Sequence, residues 1–258
     1  MIGHWQECGE RMTNPFKKFQ IEHLSYSSLD LWSGNPLLWC LRYLAKMPSE
    51  VGPGAWRGTA TGVGLANFYK TNSYESALEA AMERFNSEAK GNKDPKTEKE
   101  RALVASFLDT AIKHIDHKDM PELVEAEHKI ECYFDGVDIP VIGYIDFLFA
   151  DSFMELKSTL RVPTQPSDNH IGQVSLYSEV KNLDGTLVYV GPSKAISFPI
   201  GGNMKKKALD KLRRNALSLQ KFLSGINDIK SALDSLPLND ADWRWNDTAT
   251  ETLERYQQ

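Results

Sequence analysis

The stretch GYIDFLFADSFMELKST, residues 143–159, constrains the fold more than any other part of the chain. Two runs rich in aromatic and branched residues flank Asp151-Ser152 and read as the strands of a hairpin. With period-two alternation, Val141, Gly143, Ile145, Phe147 and Phe149 take one face; Ile142, Tyr144, Asp146 and Leu148 take the other. In the second strand Glu155 and Lys157 share a face, with Met154 and Leu156 opposite. Both faces are largely apolar, which requires a sheet covered by helices on both sides.

The rest of the chain supplies those helices. Residues 1–20 read as an irregular lead-in. HLSYSSLDLWSGNPLLWCLRYLAKMP follows, with Ser27 or Ser28 as N-cap, a break at Gly34-Asn35-Pro36, and Pro36 opening a second short helix. GPG at 52–54 reads as a loop, and AWRGTATGVGLANFYK opens the next helix. SYESALEAAMERFNSEA and KTEKERALVASFLDTAIKHID have strong 3.6-residue periodicity and are joined by GNKDPK. From about residue 122 the character changes. VEAEHKIECYF is a strand joined to IPVIGYIDFLFA through Asp135-Gly136, a hairpin signal. After the charged hairpin come a helix (HIGQVSLYSEVKNL), a strand (GTLVYVGP), a long basic helix from about Met204 to Leu223, and a tail. The order predicts one α/β domain over 1–258: a mainly helical part at 1–120, a βββαβ core at 121–200, and a C-terminal helix and tail at 201–258.

The hairpin carries charge where a core strand should not. Folding at residue 151 brings Asp146 opposite Glu155, and two carboxylates in a low-dielectric setting repel unless a cation compensates them. Lys157 offers one positive charge; a divalent metal offers two. Mg²⁺ takes one or two carboxylates and keeps several waters. Asp146, Glu155 and the backbone carbonyl of Leu156 are therefore candidate metal ligands, and Lys157 is placed to orient or activate water. An exposed cross-strand ion pair would need no metal, but surface strands seldom read FLFA and FMEL.

Asp146, eight intervening residues, then Glu155-Leu156-Lys157 resembles the PD-(D/E)xK nuclease motif, and Gly-Tyr-Ile-Asp resembles the G-x-x-D form of RecB-like exonucleases. Gln173 and Tyr177 resemble the Q-x-x-x-Y signature of the same nucleases; their spacing puts both on one helix face, with His170 one turn earlier. LSYSSLDLWSGNPLLWCLRY and WRGTATGVGL resemble the opening segment and first motif. The resemblance runs from about residue 24 to residue 200. It implies a restriction-endonuclease-like core, a central mixed β-sheet flanked by helices, with a helical N-terminal part. It also implies hydrolysis of DNA phosphodiesters with Mg²⁺ or Mn²⁺, with Asp146 and Glu155 on the metal, Lys157 on water, and Gln173 and Tyr177 organising the site.

The sequence departs from that pattern twice. Where related iron–sulfur nucleases have a cysteine before the proline of the opening segment, Asn35 stands, and a cluster held by four thiolates is not expected from Cys8, Cys40 and Cys132. Those three cysteines read as reduced, mostly buried thiols. The family's first motif usually carries a His or Glu four residues after its glycine; counted from Gly58, that position is Gly62. Glu125 or Glu127 on the first strand is the candidate substitute at the metal, strand alternation placing both on one face. Gly62 also supports a second reading, a non-catalytic nucleic-acid-binding or assembly subunit on the same fold.

A net charge of −5 gives no general attraction to nucleic acid or anionic membrane, so contacts must be local. KKKALDKLRR, residues 205–214, sets six basic residues against Asp210. Lys205, Lys206, Lys207, Arg213 and Arg214 are candidate phosphate contacts, together with Arg57, Arg161 and His170 beside the site elements. No apolar run reaches membrane-spanning length, and the N-terminus lacks a secretory core. The expectation is a cytoplasmic protein of a bacterium or phage-infected cell. Its partner is DNA, with a recombination protein or further copies of the chain as additional partners, and no membrane.

Overall fold

The structure, a computed structural model, describes residues 14–49, 51–115 and 121–257. Cys8 and most of the lead-in lie outside these. The N-terminal elements are α1 (Pro15–Lys18), β1 (Leu24–Ser25), α2 (Tyr26–Gly34), α3 (Pro36–Tyr43), α4 (Pro53–Thr71), α5 (Tyr74–Ala89) and α6 (Thr97–His114). β2 (Leu123–Cys132), β3 (Val141–Phe149), β4 (Ser152–Ser158), α7 (Asp168–Lys181), β5 (Asp184–Val190) and β6 (Ala195–Ile200) follow. The chain ends with α8 (Gly202–Gly225), α9 (Ile229–Asp234) and α10 (Asp247–Gln257). Among the described residues no helix is long and apolar enough to cross a membrane.

The chain divides into two compact units. Among the described residues one comprises 14–48, 132–141 and 212–257. Its helices pack around Trp32, whose ring meets Trp39 edge-on at 5.7 Å and lies 5.0 Å from Phe222, while its indole N–H donates to Ser218 Oγ. The turn at Asp135-Gly136 forms as expected, with Gly136 at φ +83° and Val137 N–H donating to the Phe134 carbonyl. Cys40 is buried and Cys132 partly exposed, both as free thiols. The tail is more ordered than its sequence suggests. α9 starts at Asp228 through a reciprocal cap with Ser231, and Arg244 ties Asp242 to Asp30.

Among the described residues the second unit comprises 49, 51–115, 121–131 and 142–211. Its strands form a mixed sheet: β2 pairs with β3, β3 runs antiparallel to β4, β4 parallel to β5, and β5 antiparallel to β6. A parallel pair needs a crossover, and α7 supplies it between β4 and β5. On one face α4, α5 and α6 bury Trp56, Leu65, Phe68, Phe85, Phe107 and Leu108 against Phe147, Phe149, Leu156 and Val188. α7 covers the other face closely: a Cβ on Gly185 would stand 2.3 Å from Phe153 and 2.6 Å from Val174. The doubly apolar hairpin has the cover that its sequence demands.

Three local readings are corrected. Ser25, not Ser27 or Ser28, caps α2, because its hydroxyl accepts from Ser28 N–H while Ser28 Oγ accepts from Ser25 N–H. GPG is not a loop: Gly52 is the N-cap of α4 and Pro53 its first residue, where a missing N–H costs nothing. β6, AISFPI, was not expected as a strand. Pro199 removes a donor, which an edge strand tolerates, and it lies opposite Thr186.

Candidate active site

The site forms where the hairpin opens. Phe147 pairs with Met154 and Leu148 with Phe153; extended by one step, that register sets Asp146 across from Glu155, and the charge of Glu155 acts on Asp146. There the Asp146 side chain replaces a backbone acceptor, its Oδ2 taking the Leu156 N–H at 2.7 Å. The two acids are therefore brought together by register, as strand alternation predicts, and Asp146 is locked by the strand that carries Glu155.

Glu155 is 1% exposed. Its Oε1 accepts from Lys157 Nζ at 2.7 Å and from Gln173 Nε2 at 2.7 Å. The second hydrogen of Gln173 Nε2 goes to Tyr177 Oη at 2.9 Å. α7 presents both residues one turn apart, its first turn fixed by Ser167 accepting from His170 N–H. Tyr177 reaches the sheet only because residue 143 is glycine, where a Cβ would stand 2.5 Å from Tyr177 Cε1. The other carboxylate oxygen, Glu155 Oε2, is buried with no hydrogen-bond partner among the described residues.

Burial first, then the charge of Glu155, pushes the Asp146 carboxyl well above its usual range; Lys157 and the Leu156 N–H only partly offset this. Burial also raises Glu155, against Lys157. For Lys157 burial opposes the charged form, yet Glu155 and Asp146 outweigh it and hold the ammonium above its ordinary pKa. With both carboxylates ionised, one ammonium leaves one negative charge in excess, and one buried oxygen has no partner among the described residues. A hard divalent cation meets both deficits. Among the described residues no three His, Cys, Asp or Glu side chains close around one point, so protein donors are few. Asp146 and Glu155 fit such an ion, and the Leu156 carbonyl belongs to the residue between Glu155 and Lys157.

Lys157 stands between two open cavities. The first, about 420 Å³, is lined by Gly58, Thr59, Gly62 and Val63 of α4, Glu127 of β2, and Asp146, Leu156 and Lys157. The second, about 430 Å³, is lined by Lys157, Thr159, Arg161, Gln165, His170 and Tyr189. Arg161 thus lies beside the site. His170 does too, but burial, then Lys157, pushes its pKa down to about 4, and its Nδ1 is 2.6 Å from Tyr189 Oη.

Other expected residues are placed differently. Arg57 is not a phosphate contact: it is 4% exposed, ion-paired with buried Glu100, hydrogen-bonded through Nε to Ser158 Oγ, and stacked 4.1 Å from the Phe107 ring centroid. Its charge is committed inside the core. Glu125 is not at the metal pocket: its carboxylate, largely exposed, pairs with His128 Nδ1 at 2.6 Å. The alternation that would put Glu125 and Glu127 on one face is broken by Glu127, at φ +55°. Lys205 pairs with Glu179 at 3.1 Å and Arg213 donates to the Asp135 carbonyl at 3.3 Å, while Lys206, Lys207 and Arg214 are exposed and keep their heads in solvent. Buried Glu100 and half-buried Ser158 gave no sign in the sequence, since neither belongs to a motif.

No curated protein matches the chain. The solved structure "Crystal structure of SSO0001" is similar at 13% sequence identity, covering 83% of this chain and 88% of that one, with a TM-score of 0.35. The family model for the PD-(D/E)XK nuclease superfamily matches residues 23–253. The mixed sheet with helices on both faces agrees with the restriction-endonuclease-like fold of that family. The chain therefore belongs to the PD-(D/E)XK nuclease superfamily, whose members are generally nucleases and typically use divalent ions such as Mg²⁺ or Mn²⁺.

Proposed function

We propose that this protein is a metal-dependent deoxyribonuclease, a RecB-like exonuclease acting in DNA recombination, repair or phage DNA metabolism in the bacterial or phage-infected cytoplasm. The observation that carries the reading is the buried fork: Asp146 beside Glu155, one Glu155 oxygen bound to Lys157 and Gln173, the other without a partner among the described residues. Asp146, Glu155 and the Leu156 carbonyl would hold Mg²⁺ or Mn²⁺. When bound, that ion lowers the pKa of its water and stabilises charge on a phosphoryl oxygen.

The chain's own residues do the rest. Lys157 is charged at neutral pH, so it acts as a donor: its ammonium orients the attacking water and stabilises negative charge on the phosphate. Water oxygen attacks phosphorus in line and gives up a proton to solvent, the bond to the leaving oxygen breaks, and that oxygen takes a proton from solvent. Gln173 fixes the orientation of Glu155, and Tyr177, braced on Gly143, fixes Gln173. Arg161 and the exposed Lys206, Lys207 and Arg214 serve as phosphate contacts, and a recombination protein or further copies of this chain complete the assembly. The order of the Gly-Tyr-Ile-Asp, Glu-Leu-Lys and Gln-x-x-x-Tyr elements supports the RecB-like assignment.

Gly62 favours a second reading, a non-catalytic DNA-binding subunit, because α4 brings no ligand there. One experiment separates the two: degradation of end-labelled linear and closed circular DNA with Mg²⁺, Mn²⁺ or EDTA, by wild type and Lys157→Ala. Loss of linear DNA alone, abolished by EDTA and by the substitution, is the expected result. Folded wild type that binds DNA and cleaves nothing with either metal would establish the binding subunit.

A further inference from the structure

We propose that Glu127 is a third carboxylate of the metal pocket, holding the hydrated ion through its waters in place of the side chain that Gly62 lacks. The inference rests on the metal-dependent reading above. Three observations on β2 and α4 carry it.

Glu127 is an extended-strand residue by position but a left-handed one by conformation, φ +55°. For a residue with a Cβ that conformation costs on the order of 1 kcal/mol or more, and such strain collects at functional sites. Its geometric effect is to break the alternation of β2, so that Ala126 and Glu127, adjacent in sequence, both line the cavity that holds Asp146 and Lys157. A bulge re-aims a side chain in just this manner.

The carboxylate is also uncommitted. Glu125, two residues earlier, is closed into a chain with His128, whose Nε2 lies 3.3 Å from Lys181 Nζ. The Glu127 side chain makes no hydrogen bond or ion pair among the described residues; the charges of Arg84 and Lys157 act on it, and its own charge acts on both Asp146 and Glu155.

The wall of α4 completes the argument. Gly62 lines the same cavity, and nothing lies within 4 Å of where its Cβ would stand. The space for a ligand exists there without the ligand. No three acidic or imidazole groups close around one point among the described residues, so Glu127 would act on the ion from outside its direct ligands. Carboxylates that hold a metal's surroundings in this way typically change affinity 10–100-fold when removed.

Mn²⁺ binding, followed by calorimetry and by the electron-spin resonance of the free ion, tests this without reference to cleavage. The proteins are wild type, Glu127→Gln, Glu125→Gln, Glu155→Gln and the double variant Glu127→Gln/Gly62→Glu, each checked for native circular dichroism. Glu127→Gln should weaken Mn²⁺ binding about 10-fold or more, Glu125→Gln should leave it unchanged, and the double variant should recover much of the loss. Glu155→Gln should abolish binding. If Glu127→Gln binds like wild type while Glu155→Gln does not, the inference is wrong and the metal-dependent reading survives. Equal weakening by Glu125→Gln would also overturn it, as a bulk charge effect. Wild type that takes up no Mn²⁺ would overturn both.

Discussion

Asp146→Asn should make the metal-free protein more stable at pH 8. The variant keeps an oxygen to accept the Leu156 N–H and removes one of two opposed, buried charges. Directly opposed strand residues place their side chains roughly 5 Å apart, and at an effective dielectric of about 20 two like charges at that separation repel by about 3 kcal/mol. Lys157 cancels part of this, which leaves a gain of about 1–2 kcal/mol, within the usual span for stabilising changes at functional sites. For a chain of this length that is roughly 2–8 °C in thermal midpoint.

The pH dependence follows from the direction of the shift. Asp146 titrates higher in the folded protein than in the unfolded chain. Wild type therefore loses stability as pH rises from the ordinary carboxylate range, about 4, through the folded value, whereas the Asn variant loses none from this group. The difference should be absent near pH 4 and grow as pH rises toward the folded value. Adding Mg²⁺ reverses the order: at 100 times its dissociation constant an ion bound by the folded state alone contributes about 2.7 kcal/mol to wild type, and little to the variant. Differential scanning fluorimetry at pH 4, 6 and 8, with EDTA or Mg²⁺, reads all of this. A metal-free Asp146→Asn that melts at or below wild type at pH 8, or a difference that ignores pH, would show that the fork is not held under electrostatic tension.

Gly143→Ala should cost about 1–3 kcal/mol in urea unfolding, because its methyl overlaps the Tyr177 ring and an overpacked interior must shift; an unchanged midpoint would mean that Tyr177 is not seated there. Arg57→Ala should cost about 3–5 kcal/mol by leaving Glu100 as an unpaired buried charge. The salt dependence of DNA binding by the folded variant should match wild type; a slope smaller by about one would restore Arg57 as a phosphate contact.

The central acids were legible because their placement depends on local rules. A period of two and one short turn put Asp146 opposite Glu155, and an i, i+4 spacing put Gln173 and Tyr177 on one face of α7. What escaped depends on partners remote in sequence or on backbone choices that no residue announces. Arg57 reads as a surface cation until Glu100, 43 positions away, is found beside it in the core. Glu127 reads as one more alternating residue until its φ is known. β6 was hidden by Pro199, which argues against a central strand but not against an edge. The cap of α2 moved because three serines, 25, 27 and 28, offer the same chemistry, and only the reciprocal bond between Ser25 and Ser28 decides among them.

The close seating of α7 on the sheet has an evolutionary consequence. Gly143 meets Tyr177, and Gly185 meets Val174 and Phe153, at distances where any Cβ would collide. Each glycine is thus one half of a two-residue lock whose other half includes a helix residue, and contacting residues of this kind change stability non-additively. A descendant that enlarges residue 143 retains its fit only if residue 177 shrinks in step, and a smaller residue 177 gives up the hydroxyl that holds Gln173. In sequences diverging from this one, positions 143 and 177 should therefore change together or not at all, and the pair that stays fixed longest should be the one nearest Glu155.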